Sequence, residues 1–325
     1  MKALIYTKYG SPEVLEVKEI EKPSPKDDEV LVKIYAASIN DWDWGLLQPN
    51  SFLERLMTGL FKPRRQILGS DIAGRIESVG KHVKKFRVGD EVYGDLSGRG
   101  KWGGFAEYVC AREDRLCLKP QSMSFEEAAA IPQAGMLAVQ GLRDKVHLQP
   151  GQKLLINGAG GGVGTLGIQI ARLDSVEVTA VDSTGKLDML RSLGASHVID
   201  YTKEDFTGNG QTYDLILDVK TNRPIFHYLR ALKPNGMYVT VGGSLNRLFL
   251  AFILSPWIGM FTKKRVRIVA LKPNKDLLYM NELYEAGKLK PVIERFYTLE
   301  GIPEALRHFG KAAHKGKIVI SVVNN

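Results

Sequence analysis

The chain has 325 residues, 44% of them hydrophobic and 25% charged, with a formal net charge of +9. These are the proportions of an ordinary soluble globular protein, long enough for two domains with separate cores. The positive balance favours anionic ligands, but no basic-aromatic ribonucleoprotein pattern or zinc-finger spacing occurs, so nucleic acid is not an expected partner.

From the amino terminus the pattern is β. MKALIYTKYG turns polar at once and does not read as a signal peptide. Residues 2–7 read as a strand, and 29–36 alternate with Val30, Val32 and Ile34 on one face. Residues 67–80, 88–93 and 105–110 add strands, with Gly89-Asp90 as a turn. Short strands broken by turn signals predict a barrel-like domain. Cys110 and Cys117 form no CxxC pair, which excludes a structural zinc knot and fits two reduced thiols in the cytoplasm.

Near residue 122 the pattern changes. Ser124, with Glu127 three residues on, is a capping box opening a helix that ends at Pro132. A second helix is predicted over 135–144. Strands at 153–157, 176–181, 198–200, 213–219 and 237–242 then alternate with helices at 163–173, 185–193 and 223–232. That alternation predicts a doubly wound parallel sheet. Gly194 stands where a helix C′ glycine belongs, and Pro234-Asn235-Gly236 makes a turn.

The longest apolar stretch, LFLAFILSPWIGMF, runs from Leu248 to Phe261 and is followed by Lys263-Lys264-Arg265. It is too short to span a bilayer. Its ordinary reading is a helix lining a pocket or a subunit contact; an apolar patch beside a basic one also suits weak membrane-surface contact. Residues 266–270 read as a strand that could pair across a homodimer. Helices at 277–287 and 302–309 and a closing strand at 317–323 complete the chain.

The stretch richest in chemistry is NGAGGGVGTLGIQIAR, Asn157 to Arg172. An apolar strand leads into it and an amphipathic helix leaves it. In that order the first helical N–H groups and the helix dipole form an anion site. A second strand, 176–181, ends at Asp182, 21 residues past Gly161 (182 − 161). An acidic residue there reads the adenosine ribose, so the whole unit predicts dinucleotide binding.

The motifs VLVKIYAASIN, ILGSDIAGRI, RVGDEVYG, GGFAEYV, INGAGGGVGTLGIQIA and GKIVISV together resemble the medium-chain dehydrogenase/reductase superfamily, in its zinc-independent quinone oxidoreductase-like branch. The resemblance implies an α/β chain: a GroES-like β-barrel catalytic domain over 1–122 and 272–325, and a Rossmann nucleotide domain over 123–271. It implies that the carboxy-terminal segment returns to the barrel. It also implies a cytoplasmic NAD(P)H-dependent oxidoreductase that transfers hydride to a quinone or an activated alkene. The alternatives are an alcohol or aldehyde oxidoreductase without catalytic zinc, and a non-catalytic nucleotide- or RNA-binding relative.

Zinc-dependent relatives carry a cysteine where Asn40 stands and Gly-His-Glu where Gly69-Ser70-Asp71 stands. With thiolate and imidazole both replaced, no zinc is expected. The alcohol dehydrogenase proton-relay hydroxyl would fall at Trp42, which has none. Without a Lewis acid the acceptor must already be electrophilic, and the nicotinamide carries the hydride. Asn40 is the candidate for positioning nicotinamide or substrate, and Tyr93 the candidate proton donor. Candidate nucleotide contacts are Gly161, Gly162, Val163, Gly164, Asp182, Ser183, Lys186, Tyr201, Val219, Gly242 and Gly243. Asp182 favours NADH by repelling a 2′-phosphate, whereas Ser183, Lys186, Tyr201 and the resemblance favour NADPH, which is preferred. Trp42, Trp44 and Trp257 suggest an aromatic-lined apolar pocket.

Overall fold

Alternation of apolar residues sets the first group of strands. Val30, Val32 and Ile34 are fully buried along Glu29–Ser38, the longest strand of this group. The computed structural model describes residues 1–49, 52–98, 102–144, 146, 148–243 and 245–323, without the side chains of 52, 53, 57 and 245. Contacts divide the chain into two units. One comprises the described residues of Met1–Gln133, Lys272–Gly287 and Ile293–Asn325, the other those of Ala134–Leu271 and Lys288–Val292.

In the first unit Glu29–Ser38 pairs antiparallel with Asp71–Val79, Tyr108–Arg112 and Lys317–Ser321. Asp71–Val79 continues to Glu91–Asp95 and then Cys117–Leu118, while Ile293–Thr298 lies beyond Lys317–Ser321. A separate hairpin joins Lys2–Ile5 to Glu16–Glu19. The strand expected over 67–80 begins only at Asp71, because Gly69 takes φ +89° and turns the chain. The region after Ser38 holds a helix, Asp41–Leu47, that strand periodicity alone did not indicate. The Ser124–Glu127 capping box forms as expected: Glu127 N donates to Ser124 Oγ at 3.1 Å and Ser124 N to Glu127 Oε2 at 3.1 Å. Its helix stops at Ala129, and Pro132, placed at the end of that helix, instead begins the next one, Pro132–Leu142. Proline fits a first helical turn, where no N–H is needed.

The second unit is a six-stranded, wholly parallel sheet. Its spatial order is His197–Asp200, Glu177–Asp182, Lys153–Asn157, Tyr213–Asp218, Leu232–Thr240, Arg265–Ile268. In chain order that is 3-2-1-4-5-6, the doubly wound nucleotide-binding arrangement. Buried on both faces, the central strands are continuous apolar runs such as Leu154, Leu155 and Ile156. The order reverses between Lys153–Asn157 and Tyr213–Asp218. Carboxyl ends of strands at such a switch point are where ligands bind. Gly194, at φ +98°, closes its helix as expected.

Candidate functional site

The glycine loop lies at that switch point. Strand Lys153–Asn157 ends, residues 158–161 turn, and helix Gly162–Arg172 begins. The N–H groups of Gly158 and Ala159 both donate to Val181 O at 3.1 Å, fastening the loop to the next strand. The N–H groups of Gly162 and Val163 lie in the first helical turn, where no carbonyl four residues back can accept them. Helix and loop meet backbone to backbone: a Cβ on Gly164 would stand 2.4 Å from Ala159 Cα and O. The recess therefore fits a diphosphate, which takes backbone N–H donors and the positive helix end.

Asp182 closes this recess from the side. Its Oδ2 accepts Gly160 N at 2.8 Å, its Oδ1 accepts Ser183 N at 2.9 Å, and Lys186 Nζ lies 3.2 Å from Oδ1. Asp182 and Lys186 are 6% and 5% exposed, so this is a buried ion pair. A Cβ on Gly160 would overlap both Lys186 Cδ and the Asp182 carboxylate. The carboxylate thus turns into the loop, with its charge matched by an ammonium. Tyr201, half exposed, adjoins it: its N–H donates to Asp182 O at 3.2 Å. Val219 N donates to Asn157 O at 3.0 Å, and Val219 packs over Gly158. Gly242 and Gly243 follow strand Leu232–Thr240, with Gly243 at φ +109° against Thr221. Gly161 to Gly164, Asp182, Ser183, Lys186, Tyr201, Val219, Gly242 and Gly243 thus share the carboxyl edge of one sheet.

Sequence reasoning missed what ties that edge together. The Asp218 carboxylate, fully buried at the end of its strand, accepts four hydrogen bonds. Asn157 Nδ2 (2.8 Å), Lys220 N (3.1 Å) and Thr221 N (2.9 Å) reach Oδ1; Tyr238 OH reaches Oδ2 at 2.6 Å. The Asp218 main-chain carbonyl accepts Val241 N at 3.1 Å. Burial, then the Asp218 charge, raises the Tyr238 and Tyr228 phenols far above their ordinary range. The sequence signal was the pair of aspartates flanking the apolar run LIL. A polar recess of about 470 Å³, lined by Lys153, Glu177, His197, Glu204 and Tyr213 among others, lies at the opposite, amino ends of the strands, away from the glycine loop.

The first unit buries a second polar cluster. Asn40 precedes helix Asp41–Leu47 and is 5% exposed. Its Oδ1 accepts Lys317 Nζ at 2.6 Å, and its Nδ2 donates to Ser70 Oγ at 3.2 Å. Lys317 Nζ also donates to Ile39 O at 2.9 Å and lies 3.8 Å from Asp71 Oδ2. Asp43 accepts Asn40 N at 2.8 Å and Gly69 N at 2.9 Å. Burial pushes the Asp43 and Asp71 carboxyls up to about 7, and burial lowers the Lys317 ammonium against the pull of nearby carboxylates. Tyr93 is fully buried, and its hydroxyl donates to Asn281 Oδ1 at 2.5 Å. Trp44 packs on the same core with its ring against Gly310, while Trp42 is half exposed and Trp257 stands on helix Leu245–Thr262 of the other unit.

Fold and loop together define a two-unit chain whose second unit is built for a dinucleotide. The alcohol dehydrogenase GroES-like domain family matches residues 26–121, and the zinc-binding dehydrogenase family matches residues 193–320. The 2-methylene-furan-3-one reductase of Solanum lycopersicum is 36% identical over 98% of this chain and 79% of its own length. The chloroplastic NADPH-dependent alkenal/one oxidoreductase of Arabidopsis thaliana is 31% identical over the same shares. The solved quinone oxidoreductase of Coxiella burnetii superposes with a TM-score of 0.88 at 28% identity, covering 99% of both chains. The chain belongs to the medium-chain dehydrogenase/reductase superfamily, in its quinone oxidoreductase-like branch, and is an oxidoreductase.

One matched family is named for zinc, and the residues here do not suit that ion. Asn40 offers an amide already held by an ammonium, Ser70 a hydroxyl, and Asp71 a carboxylate that accepts Gln133 N at 3.2 Å. Zinc prefers thiolate and imidazole, and a buried lysine cation beside these groups opposes a second cation. Among the described residues, no group of three His, Cys, Asp or Glu is placed to hold a metal.

Proposed function

We propose that the chain transfers hydride from NADPH to a quinone or an enone, without zinc. The observation that carries the choice of cofactor is the engagement of Asp182 with Gly160 N and Lys186. A free aspartate at a strand end repels a 2′-phosphate. This one is neutralised and turned into the loop, so the repulsion is largely cancelled. Ser183, Lys186 and Tyr201 remain around the same point as phosphate partners. The relatives support the reading: one is an NADPH-dependent alkenal/one oxidoreductase, and another is a quinone oxidoreductase.

The residues divide the work. Gly161, Gly162, Val163 and Gly164 hold the diphosphate through backbone N–H groups and the helix end. Val219, Gly242 and Gly243 give the cofactor an apolar and closely approachable floor. When bound, the nicotinamide supplies the hydride. Asn40, fixed by Lys317 and Ser70, is the first unit's positioning residue. Tyr93 is assigned to packing, because its hydroxyl is buried and bonded to Asn281. Negative charge developing on the acceptor oxygen favours substrates that are already electrophilic.

The test is absorbance at the reduced-nicotinamide band, with NADPH and NADH in parallel. A quinone, an enone and an aldehyde are added in turn, with and without a chelator. Chelator-resistant oxidation with quinone or enone, faster with NADPH, is expected. Chelator-sensitive aldehyde reduction, or no oxidation with any acceptor, overturns the proposal. A cytoplasmic homodimer is part of the same reading, because Arg265–Ile268 is an edge strand able to extend the sheet across a twofold axis. Light scattering reads the oligomer.

A further inference from the structure

We propose that the side-chain amide of Gln133 donates a hydrogen bond to the carbonyl oxygen of the acceptor and stabilises the negative charge that grows there during hydride transfer. This assignment rests on the chain being a quinone or enone reductase. From Ala128 to Val139 the sequence is apolar except at Gln133. Gln133 follows Pro132 in the first turn of helix Pro132–Leu142 and is 3% exposed. Its main-chain N–H, one of those that a helix start leaves without a carbonyl, donates to Asp71 Oδ2 at 3.2 Å and Oδ1 at 3.3 Å. That bond ties the residue to the buried polar cluster of the first unit. Ser38 Oγ donates to Asp71 Oδ2 at 3.5 Å, and Lys317 Nζ stands 3.8 Å from the same oxygen. The Asn40 amide in this cluster is already engaged at both ends, by Lys317 and by Ser70. Gln133 Nε2, by contrast, is buried and has no hydrogen-bond partner among the described residues.

A buried donor left unmade is costlier than an apolar side chain of the same shape. Leucine or methionine would fill the place without that cost, so the amide points to an acceptor atom brought by a ligand. Charge selects the kind of acceptor. The Lys317 ammonium is shared among Asp43, Asp71 and Asp95. A ligand carboxylate or phosphate would meet more anion than cation there, whereas a neutral carbonyl oxygen is accepted. Burial holds Asp43 and Asp71 toward their neutral acids, so charge growing on that oxygen does not face three full anions. Hydride delivered to the β-carbon of an enone pushes the alkene electron pair through the carbonyl carbon onto the oxygen. The resulting enolate takes a proton from water at the α-carbon; the hydride and its two electrons come from NADPH, which leaves as NADP+. A fixed N–H donor on the oxygen stabilises the enolate more than the starting ketone, which is the condition for accelerating the step.

The test compares wild type with Gln133→Met, using cyclohexenone and NADPH. Methionine keeps the length of the side chain and removes both donors. The kcat/KM for the enone should fall on the order of a hundredfold. The dissociation constant for NADPH in a fluorescence titration should stay unchanged. The melting temperature should hold or rise, since an unpaired buried amide has gone. Gln133→Leu should behave alike. A second readout needs no turnover: the infrared carbonyl stretch of isotope-labelled cyclohexanone bound with NADP+ should lie lower in wild type than in Gln133→Met. An unchanged kcat/KM beside normal wild-type turnover, an equal loss in NADPH binding, or a fall in melting temperature would overturn the proposal, because the amide would then serve the cofactor or only pack. A stretch that differs in a wild type without enone turnover supports the carbonyl contact while refuting the reductase reading. Identical stretches in the two proteins overturn the contact whatever the turnover.

Discussion

Replacing Lys186 by methionine tests the cofactor reading at its centre. The substitution keeps the length and apolar stem of the side chain and removes the ammonium 3.2 Å from Asp182 Oδ1. Both partners are almost fully buried, so the carboxylate is left without its counter-ion in a low-dielectric setting, although Gly160 N and Ser183 N still donate to it. Breaking a buried pair from one side costs about 3–5 kcal/mol, and the two remaining N–H donors favour the lower end. At about 2–4 °C per kcal/mol for a domain of this size, the melting temperature should fall by roughly 6–12 °C. The cofactor should be affected unequally. NADPH loses a charge-assisted contact of about 1.5–3 kcal/mol and meets an unmatched negative charge, so kcat/KM for NADPH should fall about 10- to 100-fold or more. NADH lacks the phosphate and should lose far less. The assay is steady-state oxidation of both cofactors below the melting transition. An equal loss for both would show that Lys186 only supports the loop, and the phosphate assignment would fail.

Three further outcomes follow from the geometry. Gly164→Ala forces a Cβ to within 2.4 Å of the Ala159 backbone, so helix and loop must separate; overpacking of about 1–3 kcal/mol should weaken NADPH binding by roughly 5- to 150-fold, and an unchanged dissociation constant in a fluorescence titration would contradict the close approach. Tyr93→Phe deletes the hydrogen bond to Asn281 and should cost about 1–2 kcal/mol with kcat unchanged; a collapse of kcat at intact melting temperature would instead make Tyr93 the proton donor. Asp43, raised to about 7 by burial, retains its proton in the folded protein between about pH 4 and pH 7, where the unfolded chain has released it. The stability difference between wild type and Asp43→Asn should therefore shrink as pH rises through that window and level off above it, and a difference that grows with pH would refute the burial effect.

Local pattern made much of this molecule legible. The strand–glycine–helix unit, the Ser124 capping box and the alternation behind the parallel sheet are all written within a few residues of one another, and each depends on hydrogen bonds between near neighbours in the chain. Asp182 was legible as a residue at a strand end, but the direction of its carboxylate was not, because that depends on Gly160 leaving space and on Lys186 folding back. Asp218 went unnoticed for a similar reason. Lys220 and Thr221 are its neighbours in the chain, but Asn157 and Tyr238 stand on two other strands that only the sheet brings beside it. The contact between Asn40 and Lys317 joins residues 277 positions apart and has no local signature. Apolarity of residues 248–261 was plain, yet which side would be covered could not be read until Ala251 and Ile258 were seen on the sheet and Phe252 and Phe261 off it.

Lys317–Ser321 pairs directly with Glu29–Ser38, and its first residue supplies the ammonium around which Asn40 and Asp71 are arranged. On a ribosome, one edge of an early strand must therefore wait for one of the last strands. At about 5–20 residues per second, that interval is roughly 15–60 s. The parallel sheet of the second unit, nearly continuous in the chain, is complete well before then. For the last part of that interval, the 49 residues from Ile268 to Lys317 (317 − 268) or about 2–10 s, the nascent protein has a finished nucleotide sheet and a first sheet with an open edge, and three aspartates, Asp43, Asp71 and Asp95, lack the lysine that later lies among them. Vectorial synthesis thus gives the nucleotide unit a head start and leaves the first unit exposed to chaperones or to mispairing until residue 317 arrives.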